Sequence, residues 1–331
     1  MTVSAYAMNA ICARFVGSGV SLSGTVEPDF EEVVGLRVGL SLLTARHSGW
    51  NELRDAAKSV EDVGFDSLWV PDHIERIFGK RVISFHESVV MLGTIAECTE
   101  RISIGASVHN AAWRHPVHLV HAAATLAEVS GGRFILGAES GGRHYEDGFV
   151  DAPLDHPYSR FAESVKIVRS LLDGNEVTYE GRFWKTFESR VTGVTDHPIP
   201  LMIAGSGPKS IDLAMRYGDE WNTVDLSGIS DPTTLTDRIN AANIATAAHG
   251  RSVTRSVDLM VLPVPMTGME DLNAITGTTD EIVESLSLFS TAGFDEVHCY
   301  GPAPSVAGTA AWQPIIDASH VLSPRASSRH I

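Results

Sequence analysis

The stretch Ile199–Val224, IPLMIAGSGPKSIDLAMRYGDEWNTV, carries the rhythm on which the fold rests. An aliphatic run, Ile199–Ala204, stops at a glycine-rich turn. Pro208 then stands at a first helical position, where its missing N–H is harmless. Apolar residues recur at helical spacing through Tyr217, and a second run, Asp219–Val224, follows. Strand, short turn, helix, strand is the unit whose strands pair in parallel.

The same alternation extends in both directions. Strands are expected at Leu36–Leu43, Ser67–Val70, Ile102–Val108 and Arg133–Gly137 before this stretch, and at Ser256–Leu262 and Glu296–Tyr300 after it. Between and after them lie the helical patterns Trp50–Gly64, His86–Cys98, Pro116–Val129, Tyr158–Leu172, Pro232–His249, Asp280–Ala292 and Ala310–Leu322. Eight strand–helix units predict an α/β protein: a (β/α)8 TIM barrel over residues 36–322, with its site on loops at the C-terminal ends of the strands. A doubly wound sheet is the other arrangement of the same rhythm. Two connections exceed ordinary turns and read as insertions. Ala138–Pro157 follows the fourth strand, on the rim. Asn175–Pro198 follows the fourth helix, with a hairpin turning at Glu180–Gly181, and is expected to cover the opposite face. Residues 1–35 read as a disordered extension and residues 323–331 as a tail.

Composition narrows the functions. The chain has 331 residues with 41 Asp and Glu against 25 Lys and Arg, a net charge of −16. That balance speaks against nucleic acid, which needs a basic face, and against an anionic membrane surface. The three cysteines, Cys12, Cys98 and Cys299, form no CxxC pair, which fits a reducing, cytoplasmic setting. No apolar run has the length of a membrane span.

Polar residues gather where the strands end. Asp72-His73 closes the second strand, and a histidine is an acid or base near neutral pH that a carboxylate can orient. Ser107, Val108 and His109 close the third, where small residues let a flat ring approach the backbone. Ser140 and Gly141 belong to the rim loop after the fourth. Ala204-Gly205-Ser206-Gly207 runs into a helix N-terminus, whose free N–H groups and serine hydroxyl suit an anion. Trp50, Trp113, His109, Phe78 and Tyr145 are candidates for an aromatic substrate pocket. Other patterns weaken on inspection. His115, His118 and His121 drift by roughly 60° per step around a helix and do not converge, so no metal site is expected. Gly205–Ser210 approximates a dinucleotide fingerprint but follows the fifth strand instead of opening the fold. Glu139–Gly142 approximates a nucleophile elbow but continues into a loop, not a helix.

In order and spacing, "AAKSVEDVGFDSLWVPDH" (Ala56–His73), "AAATLAEVSGGRFILG" (Ala122–Gly137), "IPLMIAGSGPKSIDLAMRYGDEWN" (Ile199–Asn222) and "GTTDEIVESLSLFSTAGFDEV" (Gly277–Val297) resemble the bacterial-luciferase-like superfamily of flavin- and deazaflavin-dependent oxidoreductases. The resemblance implies a barrel that binds coenzyme F420 or reduced FMN. It places Asp72 and His73 beside the ring, a cis peptide at Ser107-Val108 against the ring's face, and the cofactor phosphate at Gly205-Ser206-Gly207. Tyr158 matches a tyrosine that helps hold the FMN phosphate in some monooxygenases. The chain departs from the sugar-phosphate dehydrogenases of the group: Gly142 stands where they carry a catalytic Glu, with Glu139 and Glu146 only nearby, and Ile77 replaces a tryptophan. The leading expectation is hydride transfer between F420 and a small organic substrate. The alternative is an FMNH2-dependent monooxygenase served by a separate flavin reductase. Further behind stands a non-catalytic flavin-binding barrel. A homodimer is also expected by resemblance.

Overall fold

A computed structural model describes residues 36–42, 49–78, 81–141, 155–225, 232–264 and 274–321. The expected extension over 1–35 and the tail over 323–331 lie outside the described residues, as do Gly142, Tyr145 and Glu146. The chain runs β1 (Arg37–Leu42), α1 (Trp50–Val63), β2 (Ser67–Val70), β3 (Glu75–Phe78), β4 (Arg81–Ser84), α2 (Ser88–Cys98), β5 (Ser103–Ala106) and β6 (His109–Asn110). It continues through α3 (Pro116–Val129), β7 (Phe134–Glu139), α4 (Pro157–Leu172), β8 (Val177–Glu180), β9 (Lys185–Ser189), β10 (Leu201–Ala204), α5 (Pro208–Tyr217) and β11 (Glu220–Asp225). α6 (Thr236–His249), β12 (Thr254–Met260), α7 (Thr279–Thr291), β13 (Glu296–Gly301), α8 (Pro304–Ala307) and α9 (Thr309–Val321) complete it.

β1, β2, β5, β7, β10, β11, β12 and β13 pair in parallel, each with the next, and β13 pairs with β1. The ring is closed, so the fold is the eight-stranded barrel and not the open doubly wound sheet. Local chemistry sets the helix ends. Pro116, Pro157 and Pro208 occupy first turns. Gly64 caps α1 in the left-handed region at φ 99, a conformation that a side chain would strain. Pro232 opens a short 3-10 turn, Pro232–Leu235, ahead of α6, and not the helix itself.

Of the two insertions, residues 142–154 of the first lie outside the described residues, and the second is a hairpin. The hairpin β8–β9 turns as predicted, and its tip lies along α4. Glu163 on α4 accepts backbone N–H groups from Arg182, Phe183 and Trp184. The Trp184 indole donates to the Arg160 carbonyl and sits edge-on to His115 at the start of α3. A second hairpin, β3–β4, stands between β2 and α2, where no strand was expected.

Each barrel strand has two unlike faces. Val38, Leu40, Leu68, Ile104, Leu136, Ile203, Val257 and Val297 point outward into the helices and are buried in one apolar core. Their neighbours at the two-residue period point inward. There Gly105 makes room for Trp69: a Cβ on Gly105 would lie 2.5 Å from that indole. The small residue at position 105 is thus space for a tryptophan inside the barrel.

Candidate active site

Asp72 is the centre of the cluster beyond β2. Its carboxylate accepts hydrogen bonds from Ser88 Oγ at 2.6 Å, from Arg114 Nη2 and Nε at 2.6 and 3.1 Å, and from the Asn110 backbone N–H at 3.2 Å. His109 Nδ1 lies 3.5 Å away. Burial alone would raise the Asp72 pKa, but His109 and Arg114 hold the carboxyl well below the usual carboxylate range. Asp72 therefore stays ionised near neutral pH and orients its neighbours without supplying protons. Ser88, Asn110 and Arg114 were missed from the sequence. The signal for Arg114 is a lone cation just ahead of a proline-started helix.

His73 follows directly and lines a cavity of about 470 Å³ with Asp72, Phe85, His86, Trp113 and Arg114. Its ring centroid is 6.3 Å from that of Phe85. Trp113 forms part of this cavity's wall. Trp50 contributes through His86, on which it stacks with centroids 4.6 Å apart. His109 is a correction: its ring is buried behind the wall, next to Asp72 and Ser88, and does not line the cavity. The Phe78 side chain, like Tyr145, lies outside what is described. His115 caps α3, accepting the Val117 N–H at Nδ1.

Between β5 and β6 the Ser107–Val108 peptide is cis, as the resemblance implied. Val108 packs close to Gly137 of β7: a Cβ on that glycine would lie 3.1 Å from Val108 Cγ1. Beyond β7, Ser140 leads into Gly141, which has φ 77 and backs onto Asn110. A Cβ at Gly141 would fall 2.3 Å from Asn110 Nδ2, so only glycine fits there.

The third cluster follows β10. Ala204 ends the strand, Gly205 donates its N–H to the Asn222 carbonyl, and its own carbonyl accepts the Trp221 indole N–H at 2.9 Å. A Cβ on Gly205 would collide with Ser210 at 2.4 Å, which keeps the turn tight against α5. Ser206 Oγ is 3.1 Å from Thr223 Oγ1, which also accepts from Arg238 Nη1 at 3.0 Å. Gly207 is the N-cap of α5 and has no side-chain cap. The first turn carries no acidic residue, and the space above Gly207 is open. In a protein of net charge −16 this turn is a local exception, presenting N–H groups and a hydroxyl with no acid in the first helical turn. The Tyr158 hydroxyl donates to the Lys209 carbonyl at 2.9 Å, which joins the starts of α4 and α5. These donors fit the phosphate of a flavin-type cofactor.

Inside the barrel lies a charged network that the sequence reading did not pick out. Arg37 pairs with Glu296 at 2.9 Å, and Glu296 accepts from Ser67, which accepts from the Trp69 indole. His298 bridges Glu296 and Asp258, with Nδ1 3.0 Å from Asp258 Oδ1. Asn222 donates to Ser256 and Asp258, and Ser256 to Glu220. Burial alone would lower the His298 pKa, but Asp258 and Glu296 push it up to about 10. Burial, with Glu296 close by, raises that of Glu220, whereas Arg37 and His298 outweigh burial and lower that of Glu296. The available signal was positional: Glu220, Asn222, Asp258, Glu296 and His298 interrupt apolar strands at the two-residue period.

Comparison with known proteins agrees with the barrel fold. The sequence model of the luciferase-like monooxygenase family matches residues 36–271. An F420-dependent glucose-6-phosphate dehydrogenase of Nakamurella multipartita is 32% identical over 190 residues, 54% of this chain and 54% of that protein. The chain spans about half the length of the first curated relatives it matches. Among solved structures, an F420-dependent secondary alcohol dehydrogenase in complex with an F420–acetone adduct superposes with a TM-score of 0.74 at 20% identity, over 86% of this chain and 99% of that one. The FMN complex of the oxygenating constituent of 3,6-diketocamphane monooxygenase, from a Pseudomonas putida plasmid, gives 0.66 at 15% identity, over 88% and 99%. At these identities the superpositions establish the shared barrel.

Proposed function

The chain belongs to the luciferase-like monooxygenase family, and from that premise we propose that it is an F420-dependent oxidoreductase acting on a small organic substrate. One observation carries the reading: a histidine beside a cavity and an uncapped, acid-free helix N-terminus both stand at C-terminal strand ends of one parallel barrel. A barrel enzyme gathers its chemistry at that face.

Ser206 and Gly207 would hold the cofactor phosphate with backbone N–H groups and a hydroxyl, on the tight turn that Gly205 allows. Ser107 and Val108 would support one face of the ring, with Ser140 and Gly141 along its edge. Bound F420 supplies a two-electron hydride donor or acceptor for an electrophilic C=C, C=N or C=O bond. His73 would give or take the companion proton at a ring nitrogen, while Asp72 holds Arg114 and His109 in place behind it. Trp113 and the Trp50–His86 stack would shape an aromatic pocket and exclude water. Gly142 at the position of the sugar-phosphate enzymes' Glu argues for a substrate other than a sugar phosphate. By resemblance, the protein works as a cytoplasmic homodimer.

Tyr158 favours a second reading, an FMNH2-dependent monooxygenase with a separate flavin reductase, because its ring stands at the start of α5. Paired titrations with reduced F420 and reduced FMN under anaerobic conditions decide between the two. The F420 reading expects saturable, stoichiometric F420 binding that FMN does not match. Binding of reduced FMN alone, with substrate-coupled oxygen uptake, would replace it by the second.

A further inference from the structure

Asp258 sits inside the barrel on β12 and is nearly inaccessible, at 4% exposure. Its two oxygens have different tasks. Oδ1 accepts from Asn222 Nδ2 at 2.8 Å and lies 3.0 Å from His298 Nδ1, and these contacts fix the plane of the carboxylate. Oδ2 accepts the Ser107 hydroxyl at 3.1 Å. Ser107 is the first residue of the pair assigned above to the ring's face, so the charged interior of the barrel reaches the mouth at this point. The contact joins β12 to the end of β5 across the interior, over a separation of 151 residues.

Resting on the F420 or flavin reading of the site, we propose that Asp258 is a positioning residue for the cofactor ring. A serine hydroxyl has one proton and two lone pairs. Once that proton is given to Asp258, Ser107 can offer only acceptor lone pairs to a ring at the mouth. Those lone pairs match the ring N–H groups of a flavin or deazaflavin. The inner network, anchored by His298, Glu296 and Arg37, keeps the acceptor from turning away. Asp258 itself touches neither ring nor substrate; it acts through Ser107.

The test is a double-mutant cycle on cofactor affinity, read by fluorescence titration with whichever of F420 and FMN the wild type binds. Asp258→Asn keeps the shape but can turn an N–H toward Ser107 and reverse the hydroxyl. The expected loss of affinity is about tenfold, the upper end of what one neutral hydrogen bond between Ser107 and the ring contributes. Ser107→Ala should lose a similar factor, and Asp258→Asn added to Ser107→Ala should change affinity by less than about twofold. A full second loss in the double variant, or unchanged affinity in Asp258→Asn, overturns the inference. Should Asp258→Asn fail to fold, Asp258→Glu, which keeps the charge but moves the acceptor away from Ser107, takes its place in the cycle. About tenfold weaker binding with an unchanged Tm supports the inference, and undiminished affinity overturns it. A wild type that binds neither cofactor overturns the functional reading itself, a result distinct from wild-type binding that the variants leave intact.

Discussion

The outward and inward faces of the barrel strands are built on opposite principles. Outward, β1 offers Val38, Leu40 and Leu42 to the helices, and stability comes from apolar burial and close packing. Inward, the same strand and its neighbours carry Arg37, Ser67, Glu220, Asp258, Glu296 and His298, which are held by ion pairs and hydrogen bonds. The outer face tolerates change in proportion to volume. The inner face is conditional: every charge needs its partner, since a charge stranded in the interior is far more costly than the pair is worth.

The largest effect that would break this contrast is predicted at His298. His298→Leu removes the cation between Asp258 and Glu296 and should destabilise the fold by about 3–5 kcal/mol, as measured by denaturant unfolding at neutral pH. The same variant sharpens the contrast through pH. The folded pKa of His298, about 10, lies above its ordinary value of 6.5. Its stabilising contribution is therefore complete below about pH 6.5 and is lost as pH rises through about 10. Wild type should lose stability across that window and His298→Leu should lack this component. Parallel alkaline slopes in the two proteins would show that His298 is not a charged partner.

A smaller, pH-independent effect is predicted on the other face. Leu40→Ala, fully buried against the helices, should cost about 3 kcal/mol through lost transfer energy and a cavity. The difference from wild type should hold constant from pH 6 to pH 10. A difference that changed with pH would mean that the two faces are not energetically separate.

This contrast also explains what was legible in the sequence. Apolar periodicity and helix punctuation found all eight barrel strands and the helices between them, because outward faces and caps are set by local rules. The glycine-rich turn at the start of α5 was legible for the same reason. The inward face was not read, because Asp258 and His298 lie 40 residues apart in the chain and become neighbours only where β12 pairs with β13. His109 was misplaced on similar grounds: the end of a strand was visible, but the Asp72 cluster that buries its ring joins β2, α2, β6 and the Arg114 turn. The β3–β4 hairpin escaped because Glu75–Ser84 mixes charged and apolar residues without a clear period.

The central claim is that the cofactor lies across the mouth from Gly205–Gly207 to Ser107–Val108, beside His73. A crystal structure of the protein with reduced F420 tests it most directly. The account predicts the phosphate within hydrogen-bonding distance of Ser206 Oγ and the first N–H groups of α5, and the ring stacked on the Ser107–Val108 peptide with His73 at its edge. Phosphate density away from the start of α5, or a ring bound elsewhere on the barrel, would contradict it.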